Sequence, residues 1–399
     1  MRRPTRSRYA TVVAGLTAGV VLTACGGSGS LGGDDDEASN GAADDTSPVT
    51  VGLLVPTSGV YAPLGEDMQQ GFELFLEQND GQLGGRDVEL EVIDEGETPD
   101  TGVPGAQRLI QQEVNAVVGI VNSGTALGVR DAFEEAQVPL IIANAGADDI
   151  TGARSSDYVW RTSFSNGEVA AALGPRAAED CESVFLAAAD YAAGREATAG
   201  FERTFTEAGG TVAGSVYPPF GTTTNYQPFL AQMQQSGADC VYTFFAGAEA
   251  VAFTQQYASF GLKDSIQLYS SGFLTEGGVL QAAGEAATGV ETSLHYTDQI
   301  DSPRNTEFVE AYRTAYDEAP TVYAVQAYDA AQALDQAFEN GTSGPDVVEG
   351  LKAIDTIDSP RGEFGFNEGH GPDQTYYLRR VEQGEVGLVN VVVEELTTS

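Results

Sequence analysis

Val117–Thr151, VVGIVNSGTALGVRDAFEEAQVPLIIANAGADDIT, reads as strand, tight polar turn, helix, strand and second polar turn. Val117–Val121 is all apolar or Gly, as expected of a parallel strand buried on both faces. Asn122-Ser123-Gly124-Thr125 carries no large side chain. Leu127, Val129, Phe133 and Ala136 then mark about three helical turns, ended by Val138-Pro139. Leu140–Ala143 is the next buried strand, and Asn144-Ala145-Gly146-Ala147-Asp148 is again small and polar. Two such turns lie at the carboxyl ends of adjacent parallel strands, where open α/β sheets hold their ligands. A helix start there offers unpaired N–H groups and partial positive charge, suited to a carboxylate. From pattern alone the same turns read equally well as ordinary strand-to-helix connections.

The amino terminus reads as an address. Arg2, Arg3, Arg6 and Arg8 precede the apolar stretch Thr11–Ala24, which ends in Leu22-Thr23-Ala24-Cys25. That order resembles a bacterial lipoprotein leader, residues 1–24, with Cys25 as the lipidated first residue of the mature chain. Residues 25–47 form a tether of Gly, Ser, Ala and Asp that cannot bury enough surface to fold. Gly27–Gly32 matches G-x-G-x-x-G, but no strand precedes it and no helix follows, so it is not a dinucleotide site.

The remaining length, from Pro48 onward, suits two α/β lobes. Buried strand runs alternate with helical patterns at Val49–Val55, Val88–Asp94, Val117–Val121, Leu140–Ala143 and Tyr158–Arg161. They continue at Val184–Ala189, Thr211–Tyr217, Cys240–Ala246 and Ile266–Ser270. This argues for two doubly wound, Rossmann-like lobes. With 19 Lys and Arg against 59 Asp and Glu, the net charge is −40. Such a field repels phosphates and anionic membranes, which excludes nucleic acid and a membrane surface as partners. It reads as a solubilising surface and says little about the ligand. His295 and His370 are the two histidines, and neither falls in a Cys/His/acid cluster, so no metal is expected. No P-loop, G-x-S-x-G or H-E-x-x-H occurs and no nucleophile–base pair is apparent, so neither a cofactor nor an enzyme is expected.

Val51–Pro56 followed by Thr57–Gly65, TSGVYAPLG, resembles the opening of the leucine/isoleucine/valine-type (type I) periplasmic solute-binding proteins of ABC importers. Asn79-Asp80-Gly81, Gly84-Gly85-Arg86, Val138-Pro139, Arg161-Thr162, Tyr191–Arg195, Gly289-Val290 and Tyr323–Asp329 continue that resemblance to the carboxyl end. Asn144–Asp148 and Arg161–Asn166 look most like a branch that includes receptors for aromatic carboxylates. The resemblance implies two lobes joined by a three-strand hinge, with passages near Ser165, Gly272 and Arg361. Lobe 1 would be 48–165 with 272–360, and lobe 2 166–271 with 361–399. It further implies a receptor that captures a small carboxylate, an amino acid or aromatic acid, and delivers it to an ABC permease and ATPase. Its place would be the outer face of the cytoplasmic membrane, held by a lipid. A ligand-sensing receptor subunit of the same fold is the alternative.

Family ligand groups fall on Ser123, a carboxylate-binding serine, and on the Ala145 backbone. A family threonine falls on Ala147, which lacks its hydroxyl, so strict branched-chain specificity is not implied. Across the cleft, family aromatics fall on Tyr191 and Tyr226, and the acid that meets an ammonium falls on Glu249. Leu64 stands where the family has a tyrosine, with Tyr61 nearby as its replacement. Tyr323 and Tyr328 sit at helical spacing and read as core. Cys181 and Cys240 each precede a strand of the second lobe. In the usual doubly wound order those strands are parallel neighbours, so a disulfide at their amino-terminal edge is attainable. Two buried free thiols are the alternative.

Overall fold

A computed structural model describes residues 47–396 except 154 and 386. The leader, Cys25 and the tether through residue 46 lie outside the described residues. The chain opens with β1 (Val49–Val55), α1 (Ala62–Gln78), β2 (Gln82–Leu83), β3 (Arg86–Asp94) and α2 (Pro99–Gln111). It continues with β4 (Ala116–Gly119), α3 (Ser123–Ala136), β5 (Leu140–Ile142) and β6 (Val159–Arg161). These strands form a six-stranded sheet in the order β2-β3-β1-β4-β5-β6. All its neighbours are parallel except β2 and β3. Every residue of β4, β5 and β6 is buried, which is why β4 and β5 read as unbroken apolar runs, while β6, Val-Trp-Arg, ends in the buried Arg161.

After α4 (Asn166–Ala171) and α5 (Gly174–Asp180) come β7 (Ser183–Ala188), α6 (Ala192–Glu207), β8 (Thr211–Val216) and α7 (Gln227–Ser236). Next are β9 (Cys240–Phe244), α8 (Gly247–Ser259), β10 (Gln267–Ser271), α9 (Gly278–Ala283) and β11 (Glu291–Leu294). Then follow α10 (Pro303–Tyr316), α11 (Val322–Phe338), α12 (Gly344–Ala353), the small hairpin β12 (Gly365–Phe366) and β13 (Pro372–Asp373), and finally β14 (Tyr376–Gly384) and β15 (Gly387–Leu396). The second sheet has the order β15-β14-β11-β10-β9-β7-β8. Each sheet is sandwiched by helices, as its apolar faces require.

Two expected passages between the sheets need correction. The passage placed at Gly272 is not there: β11 adds to β10 in parallel, Tyr269 opposite Glu291. The chain therefore stays with the second sheet through Leu294. β11, Glu-Thr-Ser-Leu, is buried yet polar, so it lacks the apolar run that marks a buried strand. Its hydroxyls are instead satisfied internally, Ser293 by the Val169 carbonyl and Thr292 by Arg379. The chain then returns to α1, on which α10 and α11 pack, with Phe75 edge-on to Tyr328 at 5.2 Å and Tyr312 bonded to Gln70. The passage placed at Arg361 falls later. The β12–β13 hairpin lies beside β6: His370 stacks on Trp160 at 4.1 Å, and the Arg161 N–H donates to the His370 carbonyl. Only at Gln374, ahead of β14, does the chain join the second sheet.

The three passages are held by a buried polar network. Arg361 pairs with Asp329 of α11 and donates to the Thr162 carbonyl, while Gln374 donates to Ser163. His295 meets Gln326 at 2.9 Å. At the far edge of the second sheet, Cys181 and Cys240 are disulfide-bonded with Cα atoms 6.1 Å apart. β7 and β9 are parallel neighbours there, Val184 opposite Cys240.

Candidate functional site

The site begins at the turn between β4 and α3. Ile120 holds a left-handed φ of +68°, costly for a β-branched residue and a mark of a constrained turn. That twist lets the Ile120 carbonyl accept the Ala145 N–H at 2.9 Å, locking the two turns together. It also aims the next two amides inward. Glu95, at the end of β3 with no solvent exposure, accepts the Val121 N–H at 2.7 Å and the Asn122 N–H at 2.8 Å. Asn122 then caps α3 by accepting the Thr125 N–H. The N–H groups of Ser123 and Gly124, first and second in α3, have no partner among the described residues. They are the donors left for a ligand.

The second turn is fixed to the first. The Ser123 hydroxyl accepts the Ala147 N–H at 3.2 Å, and Arg161 donates to the Ala147 carbonyl at 2.8 Å. Ala145 therefore offers a ligand its carbonyl but not its N–H. Ala145 and Ala147 are buried, with Ser123 half-buried at the lip.

The other expected site residues, Tyr61 apart, belong to the second sheet. Tyr191, ahead of α6, stacks on Phe220 with ring centres 4.3 Å apart and planes 18° apart. Phe220 is 44% exposed, a large aromatic left uncovered. Glu249, in the first turn of α8, accepts the Gly221 N–H at 2.8 Å, which ties the Phe220 loop to that helix. Electrostatics join the two groups. Burial raises the Tyr61 phenol, and the next influence on it is Glu249 from the other side. Tyr191 is raised likewise by burial, then by Tyr61 and Glu249. Glu249 itself is raised by burial, against the pull of Gly221. Tyr61, Tyr191 and Glu249 are thus close enough to feel one another's charge, and Tyr61 also feels Glu95 behind the Ser123 turn.

Tyr226 departs from expectation. It has no exposure, and its ring packs edge-on to Phe245 and Phe253 at 5.4 and 5.6 Å, so it is core and not cleft wall. Its amide is held by Gln256 of α8, which pulls the residue inward. Phe220 supplies the exposed aromatic instead. Its only sequence signal is an aromatic in a turn, Pro218-Pro219-Phe220-Gly221. Leu64 is part of α1, as Tyr61 is its cap. Tyr323 and Tyr328 are buried in the core. Among the described residues no three or more His, Cys, Asp or Glu are grouped to hold a metal ion, and no helix is long and apolar enough to cross a membrane.

Comparison with known proteins gives the fold a lineage. The family model described as periplasmic binding protein matches residues 48–385. Leu/Ile/Val-binding protein homolog 6 of Brucella melitensis is 30% identical over 349 residues, covering 85% of this chain and 89% of the relative. A substrate-binding protein of an ABC transporter from Sphaerobacter thermophilus superposes with a TM-score of 0.82 at 35% identity, covering 88% of this chain and 98% of that one. A solute-binding protein of an R. palustris ABC transporter, solved in complex with benzoate, gives a TM-score of 0.80 at 36% identity and the same coverage. The match over most of the chain and the shared fold of two mostly parallel sheets leave one conclusion: the chain belongs to the periplasmic binding protein family.

Proposed function

We propose that the chain is the extracytoplasmic, lipid-anchored substrate-binding protein of an ABC importer, and that it captures a small carboxylate and delivers it to the permease. The observation that carries this reading is the start of α3. There the Ser123 and Gly124 N–H groups have no partner among the described residues, and Tyr61, which feels both Glu95 and Glu249, supports reading Tyr191, Phe220 and Glu249 as the facing wall. The ligand carboxylate binds those donors with the Ser123 hydroxyl, the Tyr191–Phe220 pair covers its flat or apolar body, and Glu249 takes a donor at its far end. The benzoate-bound relative supports an aromatic acid, and Glu249 supports an amino acid as the other candidate.

Because the contacts divide between two lobes, only a closed form satisfies the ligand, and closure turns about the passages at 162–165, 295–302 and 374. Lipid on Cys25 keeps the receptor beside its permease. A thermal-shift screen of amino acids and aromatic acids tests the reading, since a ligand at 100 times its Kd adds about 2.7 kcal/mol of stability. A rise in melting temperature for carboxylates, absent for their amides, is the expected result; no response to either class counts against it.

A further inference from the structure

We infer that capture of the carboxylate takes up a proton, and that Glu95 is the positioning residue that receives it. The inference rests on the reading of the Ser123 turn as the carboxylate site. Glu95 holds the Val121 and Asn122 N–H groups, and the ligand takes those of Ser123 and Gly124, the next two along. An internal carboxylate and the ligand's carboxylate therefore share one helix start. Two like charges so close, away from water, cannot both be held cheaply.

A receiver for the proton's hydrogen bond stands ready. The Thr125 hydroxyl is fully buried and turned to Glu95 alone: it makes no hydrogen bond of good geometry, but it lies close enough to favour the Glu95 carboxylate as a donor. It lies beside Glu95: a Cβ added to Gly102 would sit 2.9 Å from Thr125 Oγ1 and 3.2 Å from Glu95 Cγ. A protonated Glu95 can donate to that hydroxyl while its oxygens still accept the two amides. Burial pushes the Glu95 carboxyl up to about 7 against the pull of those amides and of the Thr125 hydroxyl, which must turn from donor to acceptor when the proton arrives. The charges around it are negative: Asp94 beside it on β3, Glu97 beyond, and the Tyr61 phenol across the turn, which feels Glu97 and Glu95. A ligand anion adds to them and raises Glu95 further. The balance is one ligand anion and one proton from solvent in, nothing out. Affinity then rises as pH falls through the neutral range and is lost above it.

Calorimetric titration of the full chain with benzoate at pH 6.0, 7.0 and 8.5, in buffers of different ionisation enthalpy, tests this. Benzoate stays ionised throughout, as carboxylates do. Wild type is expected to bind roughly three- to tenfold tighter at pH 6.0 than at 8.5, taking up part of a proton in between. Glu95→Gln, which keeps an acceptor for one of the two amides and a donor for Thr125 but cannot take up a proton, is expected to bind independently of pH. A purely structural role predicts weaker binding in the variant at every pH. The inference is overturned by pH-independent binding in wild type, or by the same dependence in Glu95→Gln. Infrared titration of ligand-free Asp67→Asn, which removes the other carboxyl raised to about 7, stands even if the Glu95 variant does not fold: one carboxyl with a midpoint near 7 is expected to remain, and its absence overturns the inference. No heat with benzoate, 4-hydroxybenzoate or leucine at any pH overturns the receptor reading itself, whereas heat without pH dependence overturns only the proton uptake.

Discussion

Asp329 of α11 and Arg361 form an ion pair 2.8 Å long, with both side chains shut away from solvent. Arg361 also donates to the Thr162 carbonyl at 2.7 Å and to the Gln374 side chain, so one side chain ties the first passage between the sheets to the third and to α11. Burial raises Asp329 to about 6 in spite of Arg361 and Ser359, so the pair has little stability in hand. Arg361→Met strands the buried carboxylate and is expected to cost about 3–5 kcal/mol in urea unfolding. Adding Asp329→Leu to it should restore most of the loss. An Arg361→Met protein as stable as wild type would show that the pair does not hold the hinge.

Asp67 of α1 accepts a hydrogen bond from Thr321 at 2.7 Å at the start of α11. Burial lifts it to about 7, with Glu318, Glu276 and Glu66 adding to the rise. A carboxyl raised on folding binds its proton more tightly in the native state. Its contribution to stability is therefore present at pH 4 and lost as pH rises through 7. Asp67→Asn keeps the acceptor without the charge, so it should be more stable than wild type at pH 8 by about 1–3 kcal/mol. The two should converge near pH 4. Melting curves across that range check it, and equal stability at pH 8 would contradict it.

The disulfide joins residues 59 apart and sits at the edge of the second sheet, away from the Ser123 turn. Replacing both Cys181 and Cys240 by Ala should cost about 2–4 kcal/mol of stability, in the chain-entropy account. Ligand affinity should stay where it was. A large loss of affinity at a temperature where the variant is folded would mean that the bond shapes the cleft.

What could be read from the sequence follows from which side chains announce their surroundings. β1 is found at Val49–Val55 as read, and the buried runs of β4, β5, β7 and β9 lie within a few residues of their expected bounds, because strands covered on both faces must be apolar. β11 escaped because Thr292 and Ser293 are buried with internal hydrogen bonds, a pattern that imitates a loop and left nothing in the sequence to move the passage implied at Gly272. Of the proposed site, Ser123 and Glu249 each stand in the first turn of a helix that follows a buried strand, a pattern visible in the sequence. Tyr226 and Phe220 exchanged places because an aromatic six residues away on the same loop looks identical until packing separates core from surface. Glu95 had no signal beyond being an acid at a strand end.

Phe220 carries little of the fold and much of the proposed ligand contact. Phe220→Ala should leave the melting temperature within about 1 °C, since exposed positions contribute within ±0.5 kcal/mol. It should weaken binding of benzoate by about 0.5–1.5 kcal/mol, the scale of one aromatic pair. Benzoate bound as tightly as by wild type would remove Phe220 from the site.

The most direct test of the account is the affinity of Ser123→Ala for whichever carboxylates stabilise wild type, measured by calorimetric titration beside the wild-type protein. The hydroxyl also accepts the Ala147 N–H, so its loss frees the second turn as well. The account predicts unchanged folding and binding weaker by about 1.5–3 kcal/mol, the range for hydrogen bonds to a charged group. A Ser123→Ala protein that binds each of those carboxylates as tightly as wild type would contradict it.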